Sequence, residues 1–217
     1  MDEYLNFIMI KITFFLWISL LYRGDQIGHK IIDRPISFDQ QRIELSLDYL
    51  RDRYGLVQSE PTIVPKMVVV HWTAIPTLEA TFNVFDPPTL PGARLEIQSA
   101  GSLNVSSQFL IDTDGTIYRL MPETMMARHV IGLNHCAIGI ENVGPNEVGE
   151  LTASQLTANV SLINYLRKKY SIAYVIGHYE YDDFIGHPLW LEKDANYRTE
   201  KVDPGEKFMK LLREKLD

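Results

Sequence analysis

The chain has 217 residues, 46% hydrophobic and 23% charged, enough for a real core in one large domain or in one domain with extensions. A net charge of −7, with its 21 Lys and Arg scattered, excludes the electrostatic footprint of a nucleic-acid binder. The single cysteine, Cys136, excludes an intrachain disulfide and the paired-cysteine zinc patterns; it reads as a small buried hydrophobe and fits a cytosolic protein or an exported one that does without disulfides.

In chain order, the first segment is "FIMIKITFFLWISLLY" (Phe7–Tyr22), apolar apart from Lys11. Its uninterrupted part from Ile12 to Tyr22 has the length of a signal core and falls short of the about 20 residues of a spanning helix. Asp2 and Glu3 do not suit a basic leader, whereas a start at Met9 would give one. Residues 1–24 are therefore expected to be an export signal or an uncleaved anchor, with membrane anchoring through 7–22, set against a buried core helix. Residues 25–65 form an N-terminal extension in which "FDQQRIELSLDYLRDRYG" (Phe38–Gly55) predicts an amphipathic helix, with Asp39 near its start and Gly55 as its stop.

From residue 66 to 217 a second unit follows. "KMVVVHW" (Lys66–Trp72) is a β-branched run and predicts a buried strand. "TLEATFNVF" (Thr77–Phe85) predicts a short helix stopped by Pro87 and Pro88. "VSSQFLIDTDGTIYRLMP" (Val105–Pro122) predicts two strands around Asp-Gly, and "AIGIENVG" (Ala137–Gly144) another strand. "LTASQLTANVSLINYLRKKY" (Leu151–Tyr170) predicts a helix capped by Thr152 and Gln155. "AYVIGH" (Ala173–His178) is a strand ending on a histidine, and "PGEKFMKLLREKL" (Pro204–Leu216) a closing helix. Alternating strands and helices with one hairpin predict an α/β fold: a mixed central β-sheet with helices on its faces.

Of the six histidines (His29, His71, His129, His135, His178 and His187), His71 and His178 stand at the ends of apolar strands. In α/β folds such ends point into the crevice where ligands bind. With the carboxylate of Asp203 they would make a His–His–Asp set, three ligands with one position open, as in catalytic zinc sites. The spacing by itself does not separate this from two satisfied strand-end histidines and an aspartate serving as N-cap, with Pro204 in the first helical turn. Glu141 ends "AIGI" and shares a strand face with Gly139; in a zinc hydrolase it could take a proton from the attacking water. Lys201 could stabilise an oxyanion or be a solvated surface lysine.

Four motifs then stand in one order: "VVVHWTA" (Val68–Ala74), "VSSQFLIDTDGTIYRLMPETMMARHVIGLNHCAIGIENVG" (Val105–Gly144), "IGHYEY" (Ile176–Tyr181) and "KVDPGEKF" (Lys201–Phe208). Together they resemble the zinc-dependent N-acetylmuramoyl-L-alanine amidases, the family that includes phage lysozyme-like amidases and peptidoglycan recognition proteins. The resemblance covers roughly residues 66–210. It implies a mixed sheet flanked by helices, Zn²⁺ as cofactor, and peptidoglycan or muropeptides as substrate. It implies His71, His178 and Asp203 as metal ligands, Glu141 and Lys201 as catalytic residues, and His129, Asn134 and Gln108 beside the substrate.

The activity it implies is hydrolysis of the amide between N-acetylmuramic acid and L-alanine. The alternatives are a recognition module that binds without cutting and a zinc hydrolase of another amide. A cell-wall substrate fits a periplasmic or secreted protein, and a cytoplasmic one if residues 1–24 are not a signal. The chain departs from the family pattern at Ser107 and Gln108, at Arg128 before His129, in "FDPPTLPGARLEIQSAGSLN" (Phe85–Asn104), and in the long stretch Asp182–Glu200.

Overall fold

The structure, a computed structural model, describes residues 30–92, 95–145 and 149–216. The apolar segment Phe7–Tyr22 and His29 lie outside the described residues. Among the described residues no helix is long and apolar enough to cross a membrane.

Six strands form one sheet among the described residues: β1 (Ile31–Asp33), β2 (Met67–Trp72), β3 (Phe109–Ile111), β4 (Ile117–Arg119), β5 (Ala137–Asn142) and β6 (Tyr174–Gly177). Their order is β1-β4-β3-β5-β2-β6. All neighbours are parallel except the hairpin β3–β4, so the sheet is mixed, as expected. β2 and β5 lie inside the sheet with both faces covered. That is why "MVVV" and "AIGI" read as continuous apolar runs rather than alternating ones. β3 splits its side chains: Phe109 and Ile111 join the larger core cluster, Leu110 the smaller one with Ile36 and Phe85. Each such side chain, fully buried, contributes about 1.5–3 kcal/mol.

Among the described residues five α-helices accompany the sheet: α1 (Gln40–Tyr49), α2 (Leu78–Phe85), α3 (Leu95–Gln98), α4 (Ala153–Lys169) and α5 (Glu206–Leu216). α4 carries the predicted capping box: Gln155 N–H donates to Thr152 Oγ1 at 3.1 Å, and Thr152 N–H to Gln155 Oε1 at 2.9 Å. Its inward polar groups brace the strand ends. Gln155 Nε2 donates to Val143 O at 2.9 Å, and Asn159 Nδ2 to Asn142 Oδ1 at 2.8 Å. Its last turn is tied to the β4 side by buried Glu123, which accepts from Lys169 Nζ (2.6 Å), Tyr170 OH (2.7 Å) and Tyr165 OH (3.0 Å).

Four local expectations change. β1 was not marked by the sequence; three residues are too few to show an alternation, and the strand forms because β4 offers an open parallel edge. α3 inside Phe85–Asn104 was likewise unmarked. The helix expected over Phe38–Gly55 is α1, with Asp39 as N-cap, followed by a π-helical turn at Leu50–Tyr54 that ends at Gly55 (φ 73°). Its buried face includes Arg42, whose guanidinium donates to Ser37 O and to Phe85, Asp86 and Pro87 O, the carbonyls at the end of α2. Finally, α5 begins at Glu206, and the Asp203–Pro204 peptide is cis. Pro204 stands ahead of the helix rather than in its first turn, and the Asp203 carboxylate is not its N-cap; it turns to His71 and His178.

Candidate metal centre and active site

The site assembles at the carboxyl ends of β2, β5 and β6. Parallel register sets His71 of β2 opposite Glu141 of β5. One pair earlier Val70 meets Gly177, so His178, the next residue, emerges beside His71. Asp203 arrives from the turn before α5. Its Oδ2 lies 3.2 Å from His71 Nδ1 and 3.1 Å from His178 Nδ1. All three residues are buried, and one ligand atom from each can be chosen within 4.8 Å of the others.

These donors fit zinc. Ligands at about 2.0–2.2 Å around a tetrahedral ion stand about 3.4 Å apart, close to the two contacts seen, and two imidazoles with one carboxylate leave a fourth position open. The protonation states agree. Burial would raise the Asp203 carboxyl, but the charge and hydrogen bonds of His178 and His71 outweigh it and hold it well below the usual carboxylate range. His178 is pushed down to about 4, first by burial and then by the neighbouring His71; Asp203 opposes the shift and Lys201 adds a little to it. At neutral pH Asp203 is ionised and His178 neutral, the forms in which these residues bind a metal.

The three residues line a cavity of about 270 Å³ together with Glu141 and Lys201. The turn leaving β2 forms part of its wall. Ala74 there has φ 53°, and Thr73 holds the turn through Oγ1, which donates to Ile75 O and accepts from Ile75 N–H, both at 3.1 Å. A non-glycine residue in the left-handed region next to a site is where backbone strain is typically kept.

Of the residues expected beside the substrate, His129 and Asn134 line the cavity and Gln108 does not. Gln108 is fully buried and does not line the cavity; its Oε1 accepts from Gly139 N–H at 2.7 Å and its Nε2 donates to Met125 O at 2.8 Å. It takes the backbone amide of a central strand instead of a ligand group, which corrects the expectation. Asn134 borders the cavity, but its Oδ1 accepts from the N–H groups of His129 (2.9 Å) and Val130 (2.8 Å), and its Nδ2 donates to Tyr54 OH (2.9 Å). It shapes the wall. His129 also lines the cavity, with one ring nitrogen facing His71 and the other Ala137 O. Burial, then the charges of His71 and His178, hold its pKa well below that of an ordinary histidine.

Tyr49, Ile97, Tyr197 and Thr199 complete one side of the cavity. Sequence reading assigned them nothing, because they come from α1, α3 and the stretch Asp182–Glu200, none of which carries a local signal of a site. Arg128 joins these segments. Its guanidinium donates to Ile97 O, Gly101 O, Leu103 O and Tyr197 OH and lies over the Tyr49 ring. The stretch itself is anchored on the π-helical turn after α1: Arg53 pairs with buried Glu192 at 2.7 Å, and Lys193 Nζ donates to Arg51 O at 2.9 Å.

No curated protein matches the chain. Among solved structures the fold is similar to that of the N-acetylmuramoyl-L-alanine amidase LysC from Clostridium intestinale, at 24% identity and a TM-score of 0.52 over 86% of this chain and 97% of that one. It is also similar to an AmpD derivative (21%, 0.53, 86% and 94%) and to the Ph2119 endolysin of a Thermus scotoductus bacteriophage (19%, 0.51, 86% and 99%). The family model for N-acetylmuramoyl-L-alanine amidase matches residues 60–206, well over half of the sequence, and this range holds His71, Glu141, His178, Lys201 and Asp203. The chain belongs to the N-acetylmuramoyl-L-alanine amidase family.

Proposed function

We propose that the protein hydrolyses the amide between N-acetylmuramic acid and L-alanine in peptidoglycan or its fragments, with zinc held by His71, His178 and Asp203. The observation that carries this reading is the presence in one cavity of a complete ligand triad, a carboxylate and a lysine. Zinc bound there would supply Lewis acidity, polarising a carbonyl and lowering the pKa of water to about 7. Glu141 takes the proton of the attacking water and returns it to the leaving amine. Lys201 donates to the oxygen on which negative charge develops; the loss of one such donor typically costs about 10²–10³ in rate. The wall of Tyr49, Ile97 and Tyr197 bounds the space left for sugar and peptide.

On this reading residues 66–217 are the catalytic unit and 25–65 an extension that braces it. Residues 1–24 are an export signal or anchor that takes the protein to the envelope, periplasmic or secreted. The test is to purify residues 25–217, measure zinc, and follow muropeptides by mass spectrometry with and without chelator. About one zinc per chain and chelator-sensitive release of a stem peptide beginning with L-alanine are expected. Zinc-free protein that binds the fragments and leaves them whole would replace this reading with that of a recognition module.

A further inference from the structure

His71 has two ring nitrogens, and the zinc reading uses only Nδ1. Its Nε2 lies 3.0 Å from Nδ1 of His129, with the two rings nearly perpendicular at 88°. The other nitrogen of His129, Nε2, faces the carbonyl oxygen of Ala137 at 3.4 Å. A neutral imidazole carries one N–H and one lone pair, and a carbonyl can only accept. Ala137 therefore favours the proton on His129 Nε2, which leaves His129 Nδ1 as an acceptor. His71 then places its own proton on Nε2, and its Nδ1 is bare. That bare nitrogen stands 3.2 Å from the Asp203 carboxylate oxygen. A cation between them suits two lone-pair donors at that separation; without one, the contact needs the His71 proton on Nδ1 as a hydrogen bond to the carboxylate.

We propose that His129 is a positioning residue for the metal: by accepting the Nε2–H of His71 it holds that ring in the tautomer and orientation whose Nδ1 faces the ion. The inference rests on the zinc reading and adds a residue to it. The chain has built the place for this ring. Gly139 of β5 has no side chain, and a Cβ there would come within 2.9 Å of the His129 ring. The backbone on either side is clamped by Asn134, itself held by Tyr54 of the turn after α1. The carbonyl of His71 is held in turn by Asn142 Nδ2 at 2.9 Å, so the ligand is fixed at both its main chain and its ring. Groups that orient a ligand in this way typically carry about 10–100-fold in metal affinity.

The experiment measures zinc dissociation constants by chelator competition for wild type, His129→Leu and His129→Asn, with thermal unfolding of each metal-free protein alongside. His129→Leu is expected to weaken zinc binding about 10–100-fold. His129→Asn, whose Oδ1 can accept where the ring Nδ1 did, is expected to recover most of it. In the zinc-loaded wild type, imidazole ¹⁵N spectra should show the His71 proton on Nε2 and the His129 proton on Nε2. Equal affinity in His129→Leu and wild type overturns the proposal, as does an Asn variant no better than Leu, or a proton on His129 Nδ1. If His129→Leu does not fold without metal, the Asn variant and the spectra decide. A wild type that takes up no zinc fails differently, since it removes the metal reading and this role with it.

Discussion

Glu141 is held by the backbone ladder of β5. It pairs in register with His71 on β5, so neutralising its carboxylate leaves the backbone that aims the ligands in place. Glu141→Gln is therefore expected to keep about one zinc per chain while losing turnover by roughly 10²–10⁴. Metal content and peptide release, measured on one preparation, check this; near-normal release would remove the role given to Glu141. His135 offers a second test at this scale, away from the metal. Burial pushes it down to about 4, and its ring meets Tyr54 edge-on at 5.4 Å. The sign follows from which state binds the proton first. The unfolded chain takes it up near the ordinary value of about 6.5, so the folded state is at full strength above that pH and loses stability as pH falls toward 4. Metal-free His135→Phe should melt with a shallower decline between pH 6.5 and 4 than metal-free wild type; parallel declines would show that His135 contributes nothing to it.

Among elements, the wall of the cavity depends on one buried cation. Arg128 reaches four acceptors in two segments, Ile97–Leu103 and Tyr197, and lies over the Tyr49 ring of a third. Arg128→Leu leaves the carbonyls of Ile97, Gly101 and Leu103 without their donor, at an expected cost of about 2–4 kcal/mol in urea unfolding. A change within about 0.5 kcal/mol would show that the segments hold each other without it. The same region explains what was legible in the sequence. β2, β5 and α4 could be read directly, because burial on two faces writes an apolar run and a capped helix writes its own box. His71 and His178 could be read as strand-end groups. Their convergence with Asp203 was visible only through the family resemblance, since sheet order, which is not written locally, brings them together. The wall was not legible for the same reason. Tyr49, Ile97 and Tyr197 meet through long-range packing around an arginine that, by type, reads as a surface residue. Gln108 was expected beside the substrate because an amide that serves a backbone N–H group has the same letter as one that serves a substrate.

For the molecule as a whole, zinc is expected to act as a ligand of the native state. An ion that binds the folded chain and not the unfolded one stabilises it by about 4.1 kcal/mol at a thousandfold excess over its dissociation constant. Chelator should lower the melting temperature by several degrees, and added zinc should restore it. Unchanged melting across that titration, in protein whose zinc content is shown to change, would mean that the unfolded chain binds the ion as tightly as the folded one.

The order of strands in the sheet also bears on time. His71 and His178 stand on β2 and on the residue just past β6, neighbours in the sheet but separated in the chain by the hairpin, β5 and α4. Asp203 waits for the turn before α5. Contacts closed across such long stretches are entropically dear and tend to form late. The triad should therefore be incomplete at the folding barrier. Zinc present during stopped-flow refolding is expected to leave the folding rate nearly unchanged and to slow unfolding in proportion to the stability it adds. The ion would then govern how long the finished protein lasts and not how quickly it is made.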